Sequence, residues 1–570
     1  MQSPALVAKA LAEFIGPEGM DATGMGGFYA QYPSARDIIM SNSAKPHMKN
    51  FVADFPGILR GQDYEGGLYI SAVELQSPKR KPTTDLKSRT IEDAEKDSRT
   101  LAERLSESVE AKLSIENDVD LKHQYYGLGA SLSDGNGKRQ HLRRATLMGT
   151  AARGQSAETA LFGRTRGNPA EDVFLNLADP FCLVALGVQG SGKSHTVATC
   201  VESCLMPFAA PEEKPLVVLA KPMAVLALHF GKSAKDACQL AGLFQPSPEL
   251  ATHYGHLRAA RVVVLVSPSY YKQRVAYYKG SGAEVRPLLF RWTSLGAAHL
   301  RAIMRLEDEK NQQLYISVAL DLLRRYQQKG VKPDFDDFAA EIEEACTSGT
   351  QSGPLAQRLQ LLESVLAESK RNKGNGLAAQ HADLADLVAP GTLVVADLTD
   401  PLLSAADANG IFQVLLEQFR ASEVDTGKLV VLDEAHRYIA GSSGFANAVV
   451  DAVRVMRHEA LRVVISTQSP LTLPPEILEL ASVAVLHGFH SSDWYAYLSS
   501  KLAIPKDGFA TVRCLDPGDA LVFAARSDLN PTEDFDDDYY DDGDDGRGCA
   551  VIRVRHRFTR DLGASRRSAR

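Results

Sequence analysis

Seven short apolar runs recur between residues 181 and 489 of this 570-residue chain, and stretches with helical periodicity separate several of them. The runs are FCLVALG (181–187), PLVVLA (215–220), RVVVLVSP (261–268), TLVVADL (392–398), KLVVLDEA (428–435), RVVIST (462–467) and VAVLHGF (483–489). Strands that are apolar on both faces and alternate with helices are typical of a parallel sheet covered on both sides. The sequence therefore predicts an α/β fold with a doubly wound, mostly parallel sheet.

Changes in composition divide the chain into five stretches. Residues 1–75 mix apolar and turn residues and predict a small N-terminal region, whereas residues 76–160 are polar with mixed charge and predict a flexible, partly disordered linker. Residues 161–530 hold the apolar runs and form the predicted sheet domain. Residues 531–548 predict an acidic loop, and residues 549–570 predict a closing strand followed by an arginine-rich tail.

Helical periodicity replaces the strand pattern between about residues 270 and 390. Leu355, Leu359, Leu362 and Leu366 recur at helical spacing behind a Gly-Pro pair at 353–354, which suits the start of a helix. The sequence therefore predicts a helical insertion in the sheet domain, held together by core packing.

The net charge of −8 arises in a single segment of the chain. Nine acids and no base lie between Glu533 and Asp545, so the rest of the chain carries +1 (−8 + 9). Seven arginines follow between Cys549 and Arg570. Two interpretations stay open: a solvated surface loop, or an acidic mimic of nucleic acid that competes for the arginine-rich tail.

The cysteines and the hydropathy of the chain indicate the cellular compartment in which we expect the protein. The seven cysteines form no C-x-x-C pair and lie mostly in apolar segments, which predicts reduced, buried thiols. No uninterrupted apolar run reaches the roughly 18 residues that a membrane span needs. We therefore expect an intracellular protein, cytoplasmic or nuclear, without a membrane span.

The string GVQGSGKS, residues 187–194, matches the phosphate-binding pattern G-x-x-x-x-G-K-[ST] at every fixed position. An apolar run precedes it and a helical pattern follows. Glycines let the backbone approach phosphate oxygens, and the N-terminus of the helix adds partial positive charge. Lys193 is expected to reach the β- and γ-phosphates of ATP, and the Ser194 hydroxyl to ligate Mg²⁺. The predicted nucleotide-binding residues are Gly187, Val188, Gln189, Gly190, Ser191, Gly192, Lys193, Ser194 and His195.

Polar side chains follow two later apolar runs. Asp433 and Glu434 end the run KLVVLDEA, and Gln468 follows RVVIST. Asp433 is expected to hold a water molecule of the Mg²⁺ shell, and Glu434 to polarise the attacking water as general base. If the two strands are neighbours, the Gln468 amide lies near the γ-phosphate and senses hydrolysis or orients the water. The sequence thus predicts Lys193, Glu434 and Gln468 as catalytic residues and Ser194 and Asp433 as metal ligands.

These motifs together resemble the FtsK–HerA superfamily of P-loop ATPases, and most closely its HerA-like branch. The stretches that carry the resemblance are GSGKSHT, LDEAHRY and STQSP, supported by LFGR (161–164), VFLNL (173–177), PGTLVVADLTD (390–400), PGDALVFAA (517–525) and VIRVRHRF (551–558). The resemblance covers about residues 161–560. It implies a RecA-like P-loop fold and hexameric rings that hydrolyse ATP at subunit interfaces and move DNA or protein.

The resemblance also implies an arginine that reaches the site from a neighbouring subunit. Arg457 occupies the expected position ahead of the strand that ends in Gln468, with Arg454 and Arg462 as competitors. Residues 1–150 depart from the family, because their sequence does not show the run of alternating strands expected for the N-terminal β-barrel of HerA-like translocases. The letters DEAH do not indicate a DEAH-box helicase, because 240 residues separate Lys193 from Asp433 and no Q-x-x-G-R-x-x-R string occurs.

Three functions are therefore weighed. The first is a Mg²⁺-dependent ATPase that forms a ring and translocates or remodels DNA. The second is the same ATPase acting on a protein client, and the third is a nucleotide-gated switch with little turnover. Intact Lys193, Ser194, Asp433 and Glu434 disfavour the switch, since a scaffold needs no general base.

Overall fold

The computed structural model describes residues 20–21, 59–64, 67–72 and 145–562, apart from residues 168, 209–214, 234, 237, 307–313, 331, 347–348, 440–442, 528 and 530–547. The chain divides into two compact units, Met1–Gly127 and Leu128–Arg570. Most of the predicted linker, the acidic run and the end of the arginine-rich tail lie outside the described residues.

The described part of the first unit is a three-stranded antiparallel sheet. Its strands are β1 (Met20–Asp21), β2 (Leu59–Tyr64) and β3 (Gly67–Ala72), in the order β1-β3-β2. In the described part of the chain, no helix combines the length and the apolar character needed to cross a bilayer.

The second unit is built of strands and helices in alternation. Its strands are β4 (Leu147–Met148), β5 (Thr159–Thr165), β6 (Asp172–Asn176), β7 (Cys182–Leu186), β8 (Val217–Val218), β9 (Ala224–His229), β10 (Arg261–Val266), β11 (Glu284–Pro287), β12 (Thr392–Asp397), β13 (Lys428–Leu432), β14 (Leu461–Thr467), β15 (Val483–Leu486), β16 (Asp519–Ala524) and β17 (Cys549–Val554). Its α-helices are α1 (Lys193–Leu205), α2 (Ala251–Tyr254), α3 (Tyr271–Tyr278), α4 (Ala297–Ile303), α5 (Leu314–Lys329), α6 (Phe335–Ala345), α7 (Gly349–Ser364), α8 (Lys370–Gly374), α9 (Leu384–Leu387), α10 (Ala405–Ala421), α11 (Gly444–Val455), α12 (Pro475–Glu479), α13 (Ser492–Ser499) and α14 (Phe509–Arg513).

These strands form one 14-stranded sheet in the order β11-β10-β12-β9-β13-β14-β7-β15-β16-β17-β5-β6-β4, with β8 paired to β5. The strands from β11 to β15 in this order pair in parallel. The remaining pairs along the order are antiparallel. The predicted α/β fold with a mostly parallel sheet is confirmed.

Both faces of the parallel part are buried. Alternate side chains of β7 enter two separate cores, with Cys182, Val184 and Leu186 in one and Leu183 and Ala185 in the other. Helix α1 packs in the second core, whereas α10, α11 and the helices α4 to α7 contribute to the first. Strands covered on both faces need apolar side chains at every position, which explains the continuous runs in the sequence.

The sequence pattern missed the central strand β9. Its residues, AVLALH, contain a single β-branched side chain, so their composition is that of a helix. The strand forms because β12 and β13 pair with it on both sides and because it is buried throughout. The neighbouring run at 215–220, predicted as a strand of the sheet, contributes only Val217–Val218, paired to β5.

Three predicted boundaries are corrected. The linker was expected to extend to residue 160, but β4 already pairs with β6 at Leu147, because Ala145, Leu147 and Met148 are buried apolar residues. One strand, β11, lies inside the predicted insertion, where it pairs with β10. Helix α7 begins at Gly349 and so contains Pro354, which was expected to mark its start.

The C-terminal segment is fixed to α1 by a buried carboxylate. Glu202 is fully buried and accepts hydrogen bonds from Arg555 Nη1 at 2.9 Å and from the Thr559 hydroxyl at 2.6 Å. The backbone N–H groups of Phe558 and Thr559 also donate to it. Arg557 lies 3.9 Å away. This Glu202 cluster joins the helix that follows the phosphate loop to the end of the sheet.

Replacing Glu202 by Gln is expected to lower the free energy of unfolding by about 3–5 kcal/mol, because the buried Arg555 loses its counter-charge and Arg557 keeps only its pair with Asp561. Urea denaturation followed by circular dichroism measures the loss. As a control, Glu479→Gln removes an exposed pair with Lys501 and should cost less than about 1 kcal/mol. Equal losses for the two variants would contradict a structural role for the Glu202 cluster.

Candidate nucleotide site

The phosphate loop, residues 187–194, connects β7 to α1. Three of its glycines have positive φ, namely Gly187 (150°), Gly190 (80°) and Gly192 (120°). A Cβ at Gly187 would lie 2.6 Å from Ser191 Oγ, whereas one at Gly190 would meet nothing within 4 Å. The loop is therefore closed against the protein at its base and open at its crest, where a ligand has room to approach the backbone.

Lys193 is buried inside this loop, with 4% of its surface exposed. Its ammonium donates a hydrogen bond to the carbonyl of Val188 at 2.9 Å. Burial lowers the pKa of Lys193, and the nearby carboxylates of Glu434 and Asp433 partly offset this effect. A cation so placed is incompletely solvated, and phosphate oxygens would be stronger acceptors for it than a carbonyl.

His487, at the end of β15, supports the loop from behind and was not singled out from the sequence. Its Nδ1 donates to the Asp519 carbonyl at 2.9 Å, so its Nε2 accepts from the Thr196 hydroxyl at 2.9 Å. Burial lowers the pKa of His487 to about 4. A Cβ on Gly187 would lie 2.8 Å from the His487 Cβ. The signal available in the sequence was a lone histidine ending a buried apolar run.

Asp433 and Glu434 leave β13 at the same edge of the sheet as the phosphate loop. The Asp433 N–H donates to the Leu228 carbonyl at 3.0 Å, which extends the pairing of β13 with β9 by one residue. Glu434 has φ 51° and ψ 44°, in the left-handed region. This conformation costs a non-glycine residue on the order of 1 kcal/mol and is found where the surroundings dictate the direction of a side chain.

Gln468 contacts Glu434, because the strands that carry the two residues are neighbours. Strands β13 and β14 pair in parallel, and the Gln468 Nε2 donates to Glu434 Oε2 at 2.7 Å. The Gln468 N–H donates to His436 Nδ1 at 3.3 Å, and His436 Nε2 lies 3.5 Å from Glu434 Oε2. Burial lowers the pKa of His436. Glu434 is thus held by the amide of Gln468 and the imidazole of His436, and His436 was not among the site residues predicted from the sequence.

A buried charge network lies behind Asp433. His229 Nδ1 is 3.1 Å from Asp433 Oδ2, and Asp397 forms an ion pair with Arg274. Burial by itself would lower the pKa of His229, but the hydrogen bond with Asp433 and the charge on Asp397 outweigh it and raise the pKa. His229 ends the strand that the sequence pattern missed, so this support for Asp433 was missed as well.

Two predicted residues lie apart from this cluster. The His195 ring donates through Nε2 to the Arg555 carbonyl at 2.8 Å, so its side chain faces β17. Arg457 is exposed and precedes β14, which places it at the opposite edge of the sheet from the phosphate loop of its own chain. The structure brings together Lys193, Asp433, Glu434 and Gln468 but not Arg457.

Arg454 and Arg462, the two other candidates for the arginine that acts on a neighbouring subunit, both have partners within the chain. Arg454 forms ion pairs with Asp451 and Glu476. Arg462 is 4% exposed and donates to the carbonyls of Leu177 and Ala178. Among the described residues, no ion pair involves Arg457.

The arrangement suits one kind of ligand. The open crest of the glycine-rich loop and the Lys193 ammonium fit a phosphate chain, and the Ser194 hydroxyl with the Asp433 carboxylate offers the hard oxygen ligands that Mg²⁺ prefers. Glu434, on the same edge, is a carboxylate without an arginine or lysine partner among the described residues. Such a carboxylate can accept a proton from a water molecule that attacks a phosphate.

Comparisons with known proteins give remote structural matches. No protein-family model matches the chain, and neither does any curated protein. VirB4 of Thermoanaerobacter pseudethanolicus matches with 13% identity and a TM-score of 0.41, over 70% of this chain and 96% of VirB4. The bacterial conjugative coupling protein TrwB matches with 14% identity and a TM-score of 0.33, over 61% of this chain and 83% of TrwB.

A third match is the genome packaging NTPase B204 from Sulfolobus turreted icosahedral virus 2, with 19% identity and a TM-score of 0.21, over 25% of this chain and 66% of B204. All three are remote structural likenesses, each with an identity below 25% and a TM-score below 0.5.

The lowered pKa of His487 leads us to expect that the free energy of unfolding depends on pH. Its pKa is about 4 in the folded chain and about 6.5 when unfolded, so below pH 6.5 the unfolded state binds a proton that the folded state does not. Stability due to His487 is therefore complete above pH 6.5 and is lost as the pH falls towards 4, by on the order of 3 kcal/mol.

Urea denaturation of the wild-type chain and of His487→Gln at pH 7 and pH 4 isolates this effect, because the other titrating groups are common to both. The stability advantage of the wild type should shrink by on the order of 3 kcal/mol at pH 4. An advantage that is independent of pH would contradict a buried, neutral His487.

Proposed function

We propose that the chain is a Mg²⁺-dependent motor ATPase of the HerA-like kind, which assembles as a ring and couples ATP hydrolysis to DNA translocation or remodelling. The observation that carries the ATPase proposal is the 2.7 Å hydrogen bond between Gln468 and Glu434 at the sheet edge that holds the phosphate loop. A general base and a polar sensor in contact, beside a buried lysine, form the minimal apparatus for hydrolysing a nucleoside triphosphate.

The mechanism assigns one task to each side chain. Backbone N–H groups of residues 187–194 bind the phosphate chain of ATP, and Lys193 moves its hydrogen bond from the Val188 carbonyl to the β- and γ-phosphates. Ser194 and, through water, Asp433 would hold Mg²⁺, which neutralises charge on the β- and γ-phosphate oxygens when bound. Glu434 then takes a proton from the attacking water.

Gln468 couples the state of the γ-phosphate to the general base. In the structure its amide is occupied by Glu434. A γ-phosphate oxygen competes for the same N–H donors, so nucleotide binding releases the Glu434 carboxylate towards the water, and loss of phosphate restores the original bond. The left-handed backbone of Glu434 keeps the side chain within reach of both positions.

Ring assembly is proposed from the resemblance and from the position of Arg457. Because Arg457 is exposed at the edge away from its own phosphate loop, it can serve only the site of another subunit. A guanidinium supplied in this way neutralises charge that develops on the γ-phosphate during transfer. The ion pairs of Arg454 and the buried contacts of Arg462 leave Arg457 as the best candidate of the three.

The test is ATP hydrolysis by the purified full chain, with and without double-stranded DNA, and with Lys193→Ala as the inactive control. We expect Mg²⁺-dependent hydrolysis that DNA stimulates several-fold and that the Lys193→Ala change abolishes. Mixtures of Arg457→Ala and Lys193→Ala chains should regain part of the activity that each lacks alone, because some mixed interfaces are complete.

Three outcomes would change the proposal. Hydrolysis that is indifferent to DNA would contradict the DNA assignment and favour a protein client. Tight ATP binding without turnover would favour a nucleotide-gated switch. Full activity of Lys193→Ala would contradict the site itself.

A further inference from the structure

A second set of metal-ligating side chains lies directly behind the nucleotide site. His229 ends β9, Cys238 precedes the 3-10 turn at Gln239–Phe244, and Asp433 follows β13. One ligand atom from each of the three residues lies within 4.8 Å of the other two. All three are buried, with exposed fractions of 3%, 0% and 7%. We call these three residues the HCD cluster.

The geometry of the HCD cluster is close to that of a three-ligand zinc site. Zn–S bonds of about 2.3 Å and Zn–N bonds of about 2.0 Å place neighbouring ligand atoms of a tetrahedral site about 3.5 Å apart. His229 Nδ1 and Asp433 Oδ2 are already 3.1 Å apart. A contraction of about 1 Å at Cys238 is enough to complete the site.

His229 enters the cluster through one of its two ring nitrogens. Its Nδ1 faces Asp433 and is the ligand atom in this geometry, whereas its Nε2, on the other side of the ring, is buried without a hydrogen-bond partner in the described part of the chain. Imidazole, thiolate and carboxylate together form a donor set that occurs in zinc sites and that Mg²⁺ disfavours.

The charges around the cluster also suit a divalent cation. A thiolate and a carboxylate together balance a charge of +2, and binding releases the thiol proton of Cys238 to solvent and displaces the Nδ1 proton that His229 donates to Asp433. Asp397, on the adjacent strand β12, lies beside His229 and adds negative charge, which its ion pair with Arg274 offsets. Arg437, the other cation close to His229, is paired with Asp236.

We propose that the HCD cluster binds a thiophilic divalent cation, with Zn²⁺ as the representative, and that this binding arrests ATP hydrolysis by withdrawing Asp433 from the Mg²⁺ site. The cluster and the nucleotide site share Asp433, so the two cations compete for one carboxylate. The metal site stands on its own geometry, whereas the inhibition rests on the proposed function.

The metal site is tested by titrating the full chain with Co²⁺ in the absence of nucleotide. The titration uses a Cys514→Ser background, because Cys514 is the exposed cysteine and would bind the probe at the surface. We expect a thiolate-to-cobalt charge-transfer absorption that saturates at one equivalent and that Zn²⁺ displaces.

Two variants and a matched control complete the titration. Cys238→Ser should lose the absorption, and His229→Gln should weaken Co²⁺ binding at least about tenfold. Cys346→Ser, at a buried thiol that is not part of the HCD cluster, should bind as the parent does. If Cys238→Ser does not fold, the Co²⁺ affinity of His229→Gln tests the metal site in its place. No absorption in the parent, or an absorption unchanged in Cys238→Ser and His229→Gln, would overturn the proposal.

The inhibition is tested by ATP hydrolysis at saturating Mg²⁺ over a range of buffered Zn²⁺. Zn²⁺ should inhibit the parent reversibly, with recovery on addition of a chelator. Relative to its own rate without zinc, Cys238→Ser should need at least about tenfold more Zn²⁺ for half-inhibition. Equal sensitivity of the two chains would overturn the inhibitory role. A parent chain inactive without zinc would instead refute the proposed function, and the Co²⁺ titration would still decide the metal site.

Discussion

Parallel pairing of β13, β14 and β7 is the constraint on which the candidate site depends. The register matches Leu432 with Ile465 and Thr467 with Leu186, so the three strands end close together at one edge of the sheet. Each strand then continues into a segment that bears site residues: the phosphate loop, the Asp433–Glu434 pair and Gln468. A shift of one residue in any pairing would turn these side chains to the other face of the sheet. The contact between Gln468 and Glu434 is a consequence of this register.

Burial strengthens the interactions at this edge and makes them depend on one another. Lys193 and Asp433 are both almost fully buried, where charges interact more strongly than in water. The neutral His487 supports the phosphate loop, and the Glu202 cluster fixes the helix that follows it to the C-terminal segment. The position of the loop therefore depends on residues more than 280 positions away in the chain, such as His487 and Arg555.

The sequence predicted the parallel sheet and most of its strands because buried β-branched runs leave a strong pattern. It also placed Gln468 at the same sheet edge as Glu434, on the assumption that their strands are neighbours, but it did not predict the contact between the two side chains. It failed at β9, whose alanines and leucines carry no strand preference, and the strand forms there because its neighbours pair with it. The contacts of His229, Cys238 and His487 could not be predicted from the sequence for a related reason, since they depend on tertiary neighbours rather than on the local sequence pattern.

The role of the base can be separated from the binding of the nucleotide by one comparison. Glu434→Gln keeps the size of the side chain and removes the carboxylate, so the phosphate loop and Lys193 are unchanged. ATP affinity and turnover should therefore be measured side by side for the wild type, Glu434→Gln and the surface control Glu479→Gln. The account predicts that Glu434→Gln binds ATP within a few-fold of the wild type and turns it over at least about 100-fold more slowly. Turnover near the wild-type rate would contradict it.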